Sequence, residues 1–274
     1  MMKVKHLFYV ILTLAILLTG CAVQTWEPVP SLTANPIEGL SPEPTASVTL
    51  IPSAQAEPFP QKPEENYFDN ALFVGDSIME GIRRYTVVQR QEGEALGRAQ
   101  FLTCSTGIAL ADLVGDWERN IQFSYQGTEQ PLERIVAEIK PQRVFLLLGM
   151  NDIAGAEGPV SDIIDRYSRL IYSLQETRPG MELIVITSTP KTSSQWLPEY
   201  LPNRHFGNEL IGEYAAALVE MCKEMEIPCI DLYTALKDEH GALPDVYCLD
   251  SYVHLNDAGA AKVVEILNDF AATR

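Results

Sequence analysis

The sequence is short of positive charge. Its 20 Lys and Arg stand against 37 Asp and Glu, a formal net charge of −17 at pH 7. Clustered cations that neutralise phosphates are therefore missing, which disfavours nucleic acid or an anionic membrane surface as a partner of the folded part. Histidine is scarce too, with four in 274 residues. No HExxH pattern, P-loop or GxGxxG following an apolar run is present, so neither a metal nor a nucleotide cofactor is expected. The five cysteines match no zinc-ligand spacing. A membrane-spanning run is also lacking: the apolar run at residues 7–18 has twelve residues, and at 1.5 Å per helical residue it falls well short of a hydrocarbon core of about 30 Å. What is there, 46% hydrophobic and 21% charged residues, is an ordinary globular mixture able to bury a core.

The short apolar run reads as export machinery. Lys3 and Lys5 precede it, and the small residues Thr19 and Gly20 follow it, directly before Cys21. Residues 17–21, LLTGC, resemble the lipobox of bacterial lipoproteins. That resemblance implies a signal peptide over 1–20, cleavage before Cys21, and a lipid on Cys21 that anchors an extracytoplasmic protein to the bacterial membrane. An uncleaved anchor and an ordinary secretory signal are the alternatives. Setting Lys3 and Lys5 aside takes the charge from −17 to −19. Residues 21–65 form a tether, since nine prolines between Pro28 and Pro63 block helix and sheet ladders and favour an extended spacer. In an exported domain disulfides are permitted, but the spacing of Cys104, Cys222, Cys229 and Cys248 assigns no pairing, and free thiols are expected.

From residue 66 to 274 short apolar runs alternate with longer amphipathic stretches. The runs lie at 71–75, 99–104, 143–149, 182–188 and 227–233. They are apolar throughout, as strands of a parallel sheet covered on both faces must be. Helical spacing occupies about 78–89, 131–140, 160–177, 208–226 and 256–271. This alternation predicts a single α/β domain: a three-layer α/β/α sandwich with a central, mostly parallel five-stranded sheet and a ligand site at the carboxyl ends of its strands.

Ser77, in ALFVGDSIMEG, ends the first run and opens a helical pattern, with Glu80 three residues on. That spacing suits a capping box; it equally places a hydroxyl at the edge where chemistry is expected. The order Gly75-Asp76-Ser77, Gly107 after the second run, Gly149-Met150-Asn151-Asp152 after the third, and His254 before the last helix resembles the SGNH, or GDSL-type, hydrolase family across the whole domain. The resemblance implies a flavodoxin-like SGNH fold and a serine hydrolase in which Ser77 is the nucleophile and His254 the base. It also implies an oxyanion hole built from the backbone N–H groups of Ser77 and Gly107 and the side-chain amide of Asn151. The chemistry fits these types: a serine hydroxyl needs a base, imidazole titrates near neutrality, and a helix amino terminus favours the developing oxyanion. His205 and His240 read as loop residues, His6 lies in the export segment, and Asp76 reads as structural.

One position departs from the family pattern. The orienting aspartate usually stands three residues before the histidine, where this chain has Ser251; Asp250 stands four before. Either a one-residue bulge lets Asp250 reach His254 Nδ1 or a Ser–His dyad leans on a backbone carbonyl, with Asp245 a distant rival. Trp117, Tyr125, Trp196 and Tyr200 are aromatics placed either to contact a substrate or to pack their own loops. Together these features imply an extracytoplasmic serine esterase acting on an acylated, most simply O-acetylated, carbohydrate or cell-wall glycan through an acyl-Ser77 intermediate. A lipid esterase or lysophospholipase, an acyltransferase, and a surface-binding lipoprotein that keeps the fold without turnover are the rival readings.

Overall fold

The computed structural model describes residues 66–91, 93, 95–116, 121–155, 158–194 and 205–274. The export segment, Cys21, the tether, Trp117, Trp196 and Tyr200 lie outside the described residues.

Each apolar run contributes a strand to one parallel sheet. These are β1 (Ala71–Gly75), β2 (Gln100–Thr103), β5 (Arg143–Leu147), β6 (Glu182–Ile186) and β7 (Cys229–Ile230), in the order β2-β1-β5-β6-β7. Between β2 and β5 lies a separate antiparallel hairpin of β3 (Phe123–Tyr125) and β4 (Thr128–Gln130). The last strand is much shorter than its apolar run, because Asp231 accepts from Thr234 N at 3.0 Å and starts a helix there.

The helices are α1 (Ser77–Gln89), α2 (Leu110–Leu113), α3 (Leu132–Ile139), α4 (Met150–Gly155), α5 (Val160–Thr177), α6 (Asn208–Glu224), α7 (Leu232–Leu236) and α8 (Asp257–Ala271). The first and last pack on each other, while α5 packs on α2, α3 and α6. Among the described residues no helix is long and apolar enough to cross a membrane.

Every residue of β1 is buried, as expected of a strand covered on both faces. Its register places Phe73 opposite both Phe101 and Phe145. Cross-strand partners share a face, so the three rings stack, with centroids 5.1 and 4.4 Å apart and planes within 18° and 11° of parallel. Such pairs add about 1 kcal/mol each beyond their burial. This aromatic spine holds β2, β1 and β5 level, and with them the strand ends that carry the site.

Two glycines set those ends. A Cβ at Gly75 would lie 2.7 Å from Leu147 O, and one at Gly149, where φ is +102°, would lie 2.1 Å from the Tyr214 hydroxyl oxygen. That hydroxyl donates to Leu148 O at 3.0 Å, and Tyr167 from α5 donates to Leu146 O at 3.0 Å. Two buried tyrosines thus satisfy carbonyls at the exit of β5, where any unpaired one would be costly.

Candidate active site

The turn from β1 into α1 is capped by Asp76. Its backbone is extended, and Oδ1 accepts from Ile78 N at 2.9 Å. The capping box anticipated between Ser77 and Glu80 does not form. Glu80 instead receives two bonds from Arg83, at 2.7 and 2.8 Å, and one from Thr103 Oγ1 at 2.6 Å. Capping by the preceding aspartate leaves the Ser77 hydroxyl free for another partner, and that partner is His254: Oγ lies 2.9 Å from Nε2.

His254 and Asp250 occupy the loop between the 3-10 turn Asp245–Tyr247 and α8. The other imidazole nitrogen, Nδ1, lies 2.5 Å from Asp250 Oδ2. Asp250 Oδ1 meanwhile accepts from the backbone N–H of Tyr252 at 3.0 Å and of His254 at 3.3 Å. Burial raises the Asp250 pKa, but the bond and charge of His254, together with these N–H groups, outweigh it and hold the carboxyl below its ordinary value. The extra residue between acid and base is absorbed at Ser251, whose φ of +58° is the left-handed region. Asp245 stays exposed on its turn, and His240 is exposed beside Glu239. His205 is exposed too.

Sequence reasoning missed what holds that loop. Thr192, buried after β6, donates from Oγ1 to Ser251 O at 2.8 Å and from its backbone N to Tyr252 O at 2.9 Å. Lys191, also buried, lies over the Tyr252 ring at 5.9 Å and donates to Ser194 O. Burial lowers the Lys191 pKa. From the other side Asn256 donates to Val246 O and Cys248 O, at 2.9 and 3.1 Å, while its Oδ1 caps α8 through Gly259 N. A Thr-Ser pair 59 residues apart carries no pattern a sequence would reveal.

Across the strand ends, Gly107 (φ +85°) sits against Asn151, so close that a Cβ would lie 3.2 Å from Asn151 Oδ1. Asn151 Nδ2 donates to Asp76 Oδ2 and to Ile108 O, both at 3.0 Å. Both of its N–H groups are therefore engaged within the protein, which differs from an amide left open for an oxyanion. Asp152, fully buried, accepts from Leu110 N at 2.7 Å and Ala111 N at 3.1 Å. Asn151 and Asp152 thereby stitch the loop that carries Gly107 to the end of β5. Among the described residues no acceptor pairs with the backbone N–H of Ser77 or of Gly107, leaving two donors at this edge.

Burial raises Asp76 and Asp152 to about 6; for Asp76 the N–H of Ile78 and the charge of His254 oppose the rise, and for Asp152 the N–H groups of Leu110 and Ala111 do so. Tyr125 is fully buried and its hydroxyl faces Glu138 at 3.3 Å; it packs the hairpin. Cys104, Cys222, Cys229 and Cys248 are free thiols. Among the described residues no group of three or more His, Cys, Asp or Glu is placed to hold a metal ion.

The pattern of the GDSL-like Lipase/Acylhydrolase family matches residues 73–262. A GDSL esterase/lipase, WDL1, from Oryza sativa subsp. japonica is 24% identical over 197 residues, 63% of this chain and 73% of that protein. Among solved structures, a GDSL-like lipase from Bacteroides thetaiotaomicron superposes with a TM-score of 0.53 at 17% identity, covering 74% of this chain and 87% of that one. A carbohydrate esterase family 3 protein from Talaromyces cellulolyticus gives 0.52 at 18%, covering 74% and 96%. The family match spans both ends of the serine–histidine contact, so the chain belongs to the GDSL-like lipase/acylhydrolase family and is an ester-hydrolysing enzyme.

Proposed function

We propose that this enzyme removes acyl groups, most simply O-acetyl groups, from carbohydrate or cell-wall glycan through an acyl-Ser77 intermediate. The observation that carries the mechanism is the continuous relay from Ser77 Oγ to His254 Nε2 at 2.9 Å and from His254 Nδ1 to Asp250 at 2.5 Å. With Nδ1–H facing the carboxylate, Nε2 is the acceptor. It takes the Ser77 proton as Oγ attacks the ester carbonyl. The resulting oxyanion accepts from the N–H groups of Ser77 and Gly107, at the positive end of the 13-residue α1. Asn151 joins by sharing an N–H now given to Asp76 or Ile108. The imidazolium then protonates the leaving alcohol as the carbonyl re-forms. In the second half His254 takes a proton from water, whose oxygen attacks the acyl carbon, and the imidazolium returns that proton to Ser77 as the acid departs.

Three features support a glycan ester outside the cytoplasm. The basic-apolar-Cys21 amino terminus and the Pro-rich spacer suit a domain held off a membrane by a lipid. A net charge of −17 disfavours docking of the domain on anionic lipid headgroups. The same fold also serves a carbohydrate esterase. The test is acetate release from a panel of acetylated glycans beside fatty-acid release from lysophospholipids, with free glycan added to detect acyl transfer. Acetate release that Ser77→Ala abolishes supports this reading. Fatty-acid release alone, or transfer in place of hydrolysis, overturns it. Radiolabelled palmitate incorporation lost in Cys21→Ala tests the anchor.

A further inference from the structure

A cavity of about 520 Å³ opens between α1 and the loop leading into α8, within the size range of small-ligand sites. Its two walls continue the elements that carry the catalytic groups. On one wall stand Gly81, Arg84, Tyr85 and Val88, which lie four, seven, eight and eleven residues after Ser77. On an α-helix those steps fall on the face that Ser77 begins, roughly 6 to 17 Å along the axis at 1.5 Å per residue. On the other wall are Leu249, which precedes Asp250, and Leu255 and Asp257, which follow His254.

The lining is half apolar and half polar, and much of it is unengaged. Val88 and Leu249 are 47% and 61% exposed, two of the four large hydrophobics so exposed among the described residues, and both line this cavity. Such clustering marks a contact surface rather than scattered exposure. Among the described residues the side chains of Arg84, Tyr85, Gln89 and Asp257 make no hydrogen bond. Gly81 points the same way. In mid-helix a glycine costs about 1 kcal/mol relative to alanine, yet a Cβ there would meet only Leu255 O, at an ordinary 3.7 Å. Packing does not demand the glycine, and its Cα faces the open cavity.

We infer that this cavity is a sugar-binding subsite, taking a neutral pyranose unit of a glycan whose neighbouring unit bears the scissile ester at Ser77. A pyranose presents an apolar C–H face and a rim of hydroxyls. Tyr85 offers a ring for that face, with Val88 and Leu249 beside it. Arg84, Gln89 and Asp257 are planar groups that donate to and accept from hydroxyls. One cation and one carboxylate leave the lining without net charge, which suits a neutral ligand. A long acyl chain would instead leave Arg84, Gln89, Asp257 and the Tyr85 hydroxyl desolvated and unpaired. The inference rests on the glycan reading above but is tested without turnover.

Full-length protein carrying Ser77→Ala is titrated by calorimetry with xylo-oligosaccharides and N-acetylated chito-oligosaccharides of two to six units, both neutral and free of O-acetyl groups. Saturable binding is expected with at least one series. Tyr85→Ala in that background should weaken it about tenfold, and Gly81→Leu, which fills the cavity at the end nearest Ser77, should abolish it. Gln89→Ala, at the far end, should weaken it about threefold and keeps the test open if either other variant fails to fold. Absence of binding by both series, or affinity unmoved by the variants that fold, overturns the subsite. So does blockage by Gly81→Leu of a lysophospholipid with no sugar bound. Sugar binding without acetate release by the wild type leaves the subsite standing and fails the catalytic reading; acetate release without sugar binding does the reverse.

Discussion

The Ser77 side and the His254 side of the site are built by different means. Ser77, Gly107 and Asn151 stand at the exits of β1, β2 and β5, beneath which three stacked phenylalanines lock the strands, and their supports Asp76 and Asp152 are fully buried. His254 and Asp250 sit on a loop with side chains 37% and 33% exposed, held by bonds from Thr192 and Asn256 and bent at a left-handed serine. One side is fixed by burial, which is insensitive to single surface changes. The other is fixed by a few hydrogen bonds, each worth only about 1 kcal/mol, and is where this chain departs from its family's spacing.

The largest effect should come from removing what the two sides share. Ser77→Ala is expected to lower kcat for ester hydrolysis by four to six orders of magnitude, roughly the scale of other serine nucleophiles, and to abolish labelling by a fluorophosphonate, with thermal stability unchanged. Breaking the His254 side alone should cost less. Asp250→Asn is expected to lower kcat by about 10²–10⁴ while labelling persists at a slower rate, which time-resolved labelling measures; a loss under threefold would make the pair a dyad.

Asp76→Asn probes the buried side through pH. Its folded pKa is about 6 against a reference of 3.8, so the native state binds this proton more tightly than the unfolded chain does. The associated stability is fully present below about pH 4 and is lost as pH rises through 6, some 3 kcal/mol in all. Urea unfolding of Asp76→Asn should therefore show a shallower fall between pH 4 and 6, with the slope from Asp152 remaining. Activity should drop, because an amide cannot receive both Ile78 N–H and the Asn151 amide as the carboxylate does. Smallest is the latch. Thr192→Val removes the donor to Ser251 O and is expected to reduce kcat about fivefold with KM nearly constant, while Thr192→Ser restores it. An equal change in both parameters would mean that the loop is held by other contacts.

Much of this is legible in the amino-acid sequence alone. Helix α5 runs over residues 160–177 as its periodicity predicts, and β1 coincides with its apolar run, since burial on a helix stripe or on both strand faces leaves a repeating mark. The β3–β4 hairpin left none. Its strands have three residues each, and its two-residue turn, Gln126 at φ +49° and Gly127 at +77°, demands left-handed backbone at both positions without the usual Asn or Asp. Helices α2 and α4, of four and six residues, are likewise too short to show a period.

By itself the sequence determined which chemical groups arrive at the strand ends, because alternating apolar runs and amphipathic helices force a parallel sheet whose carboxyl edge collects Ser77, Gly107 and Asn151; His254 was indicated only by the family resemblance. Only the tertiary structure decided how they are held: that Asp76 rather than Ser77 caps the helix, that the Asn151 amide is engaged by Asp76 and Ile108, and that Asp250 reaches His254. Those outcomes turn on backbone angles and on hydrogen bonds between residues tens of positions apart. Such bonds form only once the hydrophobic core has brought their partners within about 3 Å of one another, and local composition carries no record of them.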